Sequence, residues 1–367
     1  MASTTAFDVA VLPGDGIGIE VIAAALEVLK ALTHRVGGFD LVFKHHECGA
    51  LHYQRSGRAL SEQTLGALER ADAMLLGAMG WPDIRYPDGT EISPQLDLRE
   101  HFELYAGVRP IRALPGLPAC LAAPQAAGID LVLVREQTEG LFFERGRTAI
   151  KDDSEARDAL VITRARSERV FDFAFRLAER RKSDGRPGKV TCVDKANVLG
   201  SMAFFRRVFE QRAACFPQIA AETAYVDATA LNLVLKPWTF DVMVTENMFG
   251  DILSDLAAGL IGGMGMAPSG DIGDRHALFQ PAHGSAPDIA GTGKANPTAA
   301  LLSSAMMLDW LGDRHQFPAC NDAARVLERA VETSFASGRV LPPELGGASG
   351  TSEITRAVID ALAGAKP

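Results

Sequence analysis

Cysteine is scarce and unpaired in this 367-residue chain. Cys48, Cys120, Cys192, Cys215 and Cys320 are odd in number and widely spaced, with no C-x-x-C pair, which speaks against a disulfide framework or a zinc knuckle. No run of about 18 apolar residues occurs, so no membrane-spanning helix is expected. The opening stretch MASTTAFDVAVLPGDG has no basic segment followed by a long apolar core, so no secretory leader is expected either. Positive charge is in deficit: 37 basic against 46 acidic residues give a net charge of −9. That balance argues against a nucleic-acid surface and for work on small molecules. Internal repeats and low-complexity segments are absent. Tyrosine is rare, with only Tyr53, Tyr86, Tyr105 and Tyr225. What remains is a cytoplasmic enzyme with no membrane or nucleic-acid partner.

Hydrophobic residues make up 47% and charged residues 23%, an ordinary globular balance in a chain long enough for two domains. Short apolar runs alternate with amphipathic stretches, which predicts an α/β protein. Strands are expected at Val9 to Leu12 and within ADAMLLGAMG, IDLVLVRE, KVTCVDKANVL and FDVMVTENMFGD, with the first helix from about Ile19. Polar groups follow these runs: Asp15, Arg135, Asp194–Lys195 and Glu246–Asn247. Ligands of open α/β sheets gather at the carboxyl ends of strands. The charged stretch ERRKSDGRPGK (179–189) reads as a solvated helix end and turn.

Several motifs carry chemistry, each with a plainer reading beside it. PGDGIG (13–18) joins a strand to a helix, where amides can face an anion, or forms a plain tight turn. It matches neither the dinucleotide fingerprint nor a phosphate-binding P-loop. Arg99, Arg109 and Arg135 lie within or after apolar stretches. Converging on one cleft they would suit a di- or tricarboxylate; singly, each could pair with a surface acid. Lys195 follows a β-branched strand, where a partly buried amine could be a proton-transfer group or could snorkel to solvent. Asp251 and Asp255 sit four apart in TENMFGDILSD, so they share one helical face and repel. Apolar flanks predict that water is excluded there and that a compensating positive charge is present. Asp227 is either a helix N-cap or a third acid for that pair. The small-residue loop FQPAHGSAPDIAGTGKANP (279–297) can lie along a flat ligand or serve as a surface linker.

In order along the chain, LPGDGIG, LREHFELYAGVRP (98–110), VREQTEG, VDKANVL, YVDA, NMFGDILSDLAAGLIGGMGMAPS and HGSAPDIAGTGKANP resemble the β-decarboxylating dehydrogenases of (2R)-hydroxy acids. That family acts on 3-isopropylmalate, isocitrate, homoisocitrate, tartrate or D-malate. The resemblance implies an α/β fold of its own, not a Rossmann fold, with two domains around a central cleft. Residues 1–104 and 262–367 would form the terminal, NAD-binding domain, and 105–261 the central domain with the dimer contacts. It also implies that Asp251 and Asp255 bind Mg²⁺ or Mn²⁺, with Asp227 supplied by the neighbouring subunit of a homodimer. The three arginines would hold the substrate carboxylates. Lys195, also from the partner, and Asp227 would assist proton removal as hydride leaves C2.

NAD contacts are implied for Ile17, His283, Gly284, Ser285, Ala286, Asp288, Ile289 and Asn296. Asp288 can accept hydrogen bonds from both ribose hydroxyls and would repel a 2′-phosphate, so NAD is expected over NADP. Gln95, Leu96 and Val198 would surround the substrate's C3 substituent. VDKANVL resembles the isopropylmalate and homoisocitrate branches, with Val198 as an apolar wall, whereas EIS, VRPIRALPG and TEG resemble tartrate or D-malate enzymes; 3-isopropylmalate, in leucine biosynthesis, or a related 3-substituted malate is expected. A regulatory, non-catalytic relative would be expected to lose a metal aspartate, the lysine or an arginine, and all are present. One departure stands out: where the family has a tyrosine, seven residues after Arg135, this chain has Phe142, which has no proton to give.

Overall fold

The computed structural model describes residues 5–144 and 146–364. The first four residues of the N-terminal stretch lie outside them. Among the described residues twelve strands form: β1 Thr5–Gly14, β2 Phe39–His45, β3 Ala73–Ala78 and β4 Ala106–Arg112 come first. They are followed by β5 Asp130–Glu136, β6 Ala149–Lys151, β7 Glu155–Arg157 and β8 Lys189–Asp194. The last four are β9 Ala220–Tyr225, β10 Val242–Thr245, β11 Pro268–Ile272 and β12 Ala277–Pro281. Ten of them make one sheet in the order β2-β1-β3-β12-β11-β4-β5-β10-β8-β9, and β6 pairs with β7 apart from it.

Two strands decide how this sheet differs from a simple parallel one. β11 pairs antiparallel with both β12 and β4, and β4 antiparallel with β5. The chain direction therefore reverses near the centre: β5, β8 and β10 run opposite to β1, β3 and β12. The carboxyl ends of the two halves cannot share one edge, so a ligand site has to form where the halves meet. β3, β11 and β12 are buried throughout; β3 accordingly reads as an unbroken apolar or small-residue run, while β11 and β12 bury Asp271 and Gln280.

Helices cover the faces. Ile17–Val36 buries Val21, Ile22, Ala25, Val28, Leu29 and Leu32 in the i, i+3, i+4, i+7 pattern of an amphipathic helix. It begins two residues earlier than the sequence suggests. Thr298–His315 packs its Ala- and Ser-rich faces against β11 and β12. The central helix Asn247–Leu260 is capped by Glu246, whose carboxylate accepts from Phe249 N (2.7 Å) and Met248 N (3.0 Å). A cap of this kind is worth about 1 kcal/mol. Its buried face carries Leu253, Ala257 and Leu260, but Ile252 on the other side is 60% exposed. Ile252, one of the apolar flanks expected to exclude water around Asp251 and Asp255, therefore does not do so in the single chain. Within 179–189, Arg181 is likewise not solvated: it pairs with the fully buried Asp241 (2.6 Å) and with Asp130 (3.1 Å).

Candidate active site

A cleft of about 260 Å³ opens where the two halves of the sheet meet. Arg99 reaches it from helix Pro94–His101, Arg109 from the middle of β4 and Arg135 from the end of β5. Gln95, Leu96, Phe142, Asp251, Asp255, His283 and Gly284 also line it. The three arginines thus converge, as their sequence setting suggested, and all three are buried.

Their partners are not surface acids. Arg99 donates from Nε to Asp271 at 2.8 Å, and Arg109 Nη1 lies 3.5 Å from the same carboxylate. Arg135 forks onto Asn247 Oδ1 with Nε (2.9 Å) and Nη2 (2.7 Å), and Nη1 pairs with Asp251. Gly250 makes that approach possible, because a Cβ there would meet Arg135 Cβ and Cγ at 2.7 Å. Burial pushes the Arg135 guanidinium down to about 10, helped by Arg99 and opposed by Asp251. It stays charged at neutral pH. Burial lowers Arg109 as well, against the pull of Asp271.

Asp251 and Asp255 do share one helical face. The compensating charge is Arg135 for Asp251, with Arg109 acting on Asp255 at longer range. Desolvation, then the neighbouring Asp251, holds the Asp255 carboxyl above its usual range. Water is not excluded within the single chain, however: Asp255 is exposed and the Asp251 side chain is 47% exposed. Two carboxylates on one helical face beside a cleft are the hard oxygen donors that a divalent cation takes.

Asp227 is elsewhere. It lies in the first turn of helix Val226–Leu235, whose N-cap is Tyr225, so neither within-chain role suggested for Asp227 is filled. Among the described residues no group of three or more His, Cys, Asp or Glu side chains could hold a metal ion. Asp227 instead pairs with Lys195 Nζ at 2.5 Å, and that ammonium holds its carboxyl below the ordinary value. Lys195 follows β8, where Asp194 fixes the turn: Asp194 takes a bidentate fork from Arg206 (2.8 Å each) and accepts from Ala196 N. Val198, three residues on, is 67% exposed and does not line its own chain's cleft. Phe142 does, and its ring lies 5.2 Å from the Arg135 guanidinium carbon.

The small-residue loop 283–289 borders the same cleft. Ile17 N donates to Ser285 O (2.8 Å), so the glycine loop and this loop are clamped together. The amides of Asp15, Ile17, Gly18 and Ile19 all have acceptors within the protein, which favours the tight turn of the two readings of 13–18. Asp15, wholly buried, accepts from Ala50 N, Leu51 N and Gly80 N and holds three loops in place. His283 Nε2 is buried without a partner, and burial lowers its pKa, so a neutral ring is turned toward a missing hydrogen-bonding group. Gly284 and Asp288 are exposed, and Ala286 and Ile289 half-buried. Asn296 is less available than expected. Its Oδ1 accepts from Thr298 N and Oγ1, and its Nδ2 donates to Glu344 at 2.7 Å.

Sequence reasoning missed Asp271 and Gln137 as organisers of this site, and it marked Asp194 and Asn247 only as polar groups at strand ends. For Asp271 a signal existed in PSGDIG, because a carboxylate inside a fully buried strand must find cations.

Three buried guanidinium groups and an aspartate pair suited to a hard cation thus meet at one cleft of this α/β fold, and the comparisons with known proteins make it a decarboxylating dehydrogenase. A family model described as isocitrate/isopropylmalate dehydrogenase matches residues 8–358. A 3-isopropylmalate/3-methylmalate dehydrogenase of Methanocaldococcus jannaschii is 43% identical over 351 residues, covering 95% of this chain and 97% of that protein. An isocitrate/homoisocitrate dehydrogenase of Thermus thermophilus is also 43% identical, over 97% of this chain and 99% of its own length. The crystal structure of an isocitrate dehydrogenase from Methylococcus capsulatus superposes with a TM-score of 0.84 at 36% identity, covering 97% and 99% of the two chains. The chain belongs to the isocitrate/isopropylmalate dehydrogenase family.

Proposed function

We propose that the protein oxidises and decarboxylates a 3-substituted (2R)-malate, foremost 3-isopropylmalate, in leucine biosynthesis. The observation that carries this reading is the convergence of three buried arginines and an aspartate pair on one cleft whose wall includes Leu96 and Phe142. The arginines bind the two carboxylates, and the apolar wall takes an alkyl group at C3. Several 3-isopropylmalate dehydrogenases among the relatives, at 40 to 43% identity, favour that alkyl group.

Asp251 and Asp255, with Asp227 of the partner subunit, would hold Mg²⁺ or Mn²⁺. Loop 283–289 would hold NAD, with His283 Nε2 and the Asp288 carboxylate as its polar contacts. When bound, the cation supplies Lewis acidity to the substrate hydroxyl and carboxylate, and NAD supplies the hydride acceptor. Lys195 and Asp227, already hydrogen-bonded to each other, form a relay for the hydroxyl proton.

A homodimer follows from the same reading. Val198, Leu231, Val234, Leu235 and Ile252 are each 46 to 67% exposed, more apolar surface than a monomer usually leaves on neighbouring helices. Pairing two chains through it would carry Lys195, Val198 and Asp227 to the partner's cleft. Residues 1–104 with 262–367 and residues 105–261 would act as two domains closing on that cleft. Five free cysteines, three of them buried, suit a reducing cytoplasm, and no described helix is long and apolar enough to cross a membrane.

The test is NADH formation over a panel of (2R)-hydroxy acids with Mg²⁺ or Mn²⁺ present. Turnover of 3-isopropylmalate well above D-malate, tartrate and isocitrate is the expected result. Preference for D-malate or tartrate would overturn the substrate assignment, and no turnover of any would leave a non-catalytic homologue.

A further inference from the structure

Asp271 does not touch the cleft, yet it sits directly behind it. The residue is on β11, wholly buried, opposite Gly107 of β4 in register. Four donors from four elements converge on its carboxylate. Arg99 Nε reaches it at 2.8 Å and Arg109 Nη1 at 3.5 Å. Gln137 Nε2 reaches it at 3.1 Å and Gln280 Nε2 at 3.4 Å. Gly107 is needed for the third of these, because a Cβ there would meet Gln137 Nε2 at 2.0 Å. Burial alone would push this carboxyl up, but Arg99 and Arg109 outweigh it and hold it ionised.

The consequence is one of charge. Among the described residues that line the cleft, Arg99, Arg109 and Arg135 stand against Asp251 and Asp255, a surplus of one positive charge. His283 is neutral, its pKa lowered by burial. Asp271 cancels the surplus and also occupies the Nε edge of Arg99. A divalent cation at Asp251 and Asp255 then leaves two positive charges, enough for a malate dianion and one short for a trianion.

We propose that Asp271 is a positioning residue that sets the anion charge this site accepts, favouring dicarboxylates with an uncharged C3 substituent over tricarboxylates. This rests on the substrate reading above and sharpens it. A relative that shares the arginines without a carboxylate behind them would carry one more positive charge and tolerate a third carboxylate.

Asp271→Asn removes the charge and nearly keeps the shape. Its new NH₂ group meets donors, but Gln137 Oε1, buried and without a partner, can turn to accept it. Asp271→Ser is a second variant with no amide to place. The measurement is calorimetric titration of 3-isopropylmalate and of isocitrate into the Mg²⁺-loaded protein without NAD, so that neither ligand reacts. One unit charge within several ångströms of a bound anion is worth about tenfold in affinity or more. The ratio of the two dissociation constants should therefore shift toward isocitrate by about tenfold in both variants. A general loosening of the arginines would weaken both ligands and leave the ratio unchanged; that result, or an unchanged ratio at full affinity, overturns the proposal. If the unmodified protein binds neither ligand, the substrate reading itself falls, and the role of Asp271 falls with it.

Discussion

In the proposed reaction the arginine cluster and the Lys195–Asp227 pair would be the two halves of the site, and they differ in how finished they are. Arg99, Arg109 and Arg135 are buried, and each is held by a side chain of the same chain. Lys195 and Asp227 pair with each other, with the Asp227 side chain 67% exposed, and they lie outside their own chain's cleft. Charges that must grip an anion tightly are desolvated and fixed in advance, because an unpaired buried guanidinium is prohibitively costly. A proton relay can stay in water until a second surface covers it.

The largest effect should come from breaking that division. Asp251→Asn or Asp255→Asn should lower turnover by orders of magnitude, since a neutral amide is a poor ligand for Mg²⁺. Lys195→Met should do the same. If the sites are shared, mixing the Asp251→Asn and Lys195→Met chains under conditions of subunit exchange restores about a quarter of full activity, because half of the dimers are mixed and each has one intact site. No recovery would mean that each chain works alone.

Phe142 sharpens the comparison next, because it is a cleft residue that leaves protonation to other groups. NADH should form ahead of a slow decarboxylation or a slow ketonisation of the enolate left by CO₂, and Phe142→Tyr should speed that later step by up to the roughly 10²–10⁴-fold typical of a general acid. Single-turnover NADH and CO₂ traces decide this. Fast, coincident traces in the unmodified protein would show that another group already gives the proton.

A smaller effect belongs to the nucleotide loop. kcat/KM for NAD should exceed that for NADP by about tenfold or more, because Asp288 repels a 2′-phosphate. Combining Asp288→Lys with Ile289→Tyr should abolish the bias. An unmodified protein that prefers NADP would refute the role of Asp288.

The smallest effect is on stability. Glu139 is buried, accepts from Thr163 N and Oγ1, and has an Oε1 without a hydrogen-bond partner among the described residues. Desolvation raises its carboxyl to about 7, with Glu136 adding to the shift. Below the unfolded value of 4.5 both states carry the proton; between there and about 7 only the folded state keeps it. Stability should therefore fall as pH rises through that window, by roughly 3 kcal/mol from this group. Glu139→Gln should flatten the decline in urea midpoints between pH 5 and 7.5. An equal decline in both proteins would assign it to other groups.

Local signals carried much of this. Strand positions were legible because buried strands are short apolar runs bounded by Gly, Pro or charge, and the segment from β10 into helix Asn247–Leu260 shows both strand and helix periods. The Asp251/Asp255 spacing and the setting of each arginine were legible for the same reason. The clamp between Ile17 and Ser285 was not, since it joins residues 268 positions apart. Nor was the reassignment of Asn296, whose amide is taken up by Glu344 and Thr298.

The sequence by itself determined which residues have chemistry to offer: three arginines, two aspartates one helical turn apart, a lysine after a strand, and a phenylalanine without a hydroxyl. Each follows from residue type and short-range periodicity, which local sterics and burial enforce. Only the tertiary structure decided which of them meet. The chain reversal at β11 and β4 puts Arg99 and Arg109 against Asp271, 172 and 162 residues away, and fixes the charge of the cleft. It also leaves Lys195 and Asp227 facing solvent, because long-range pairing is set by how the whole core packs, and no short window of sequence contains that information.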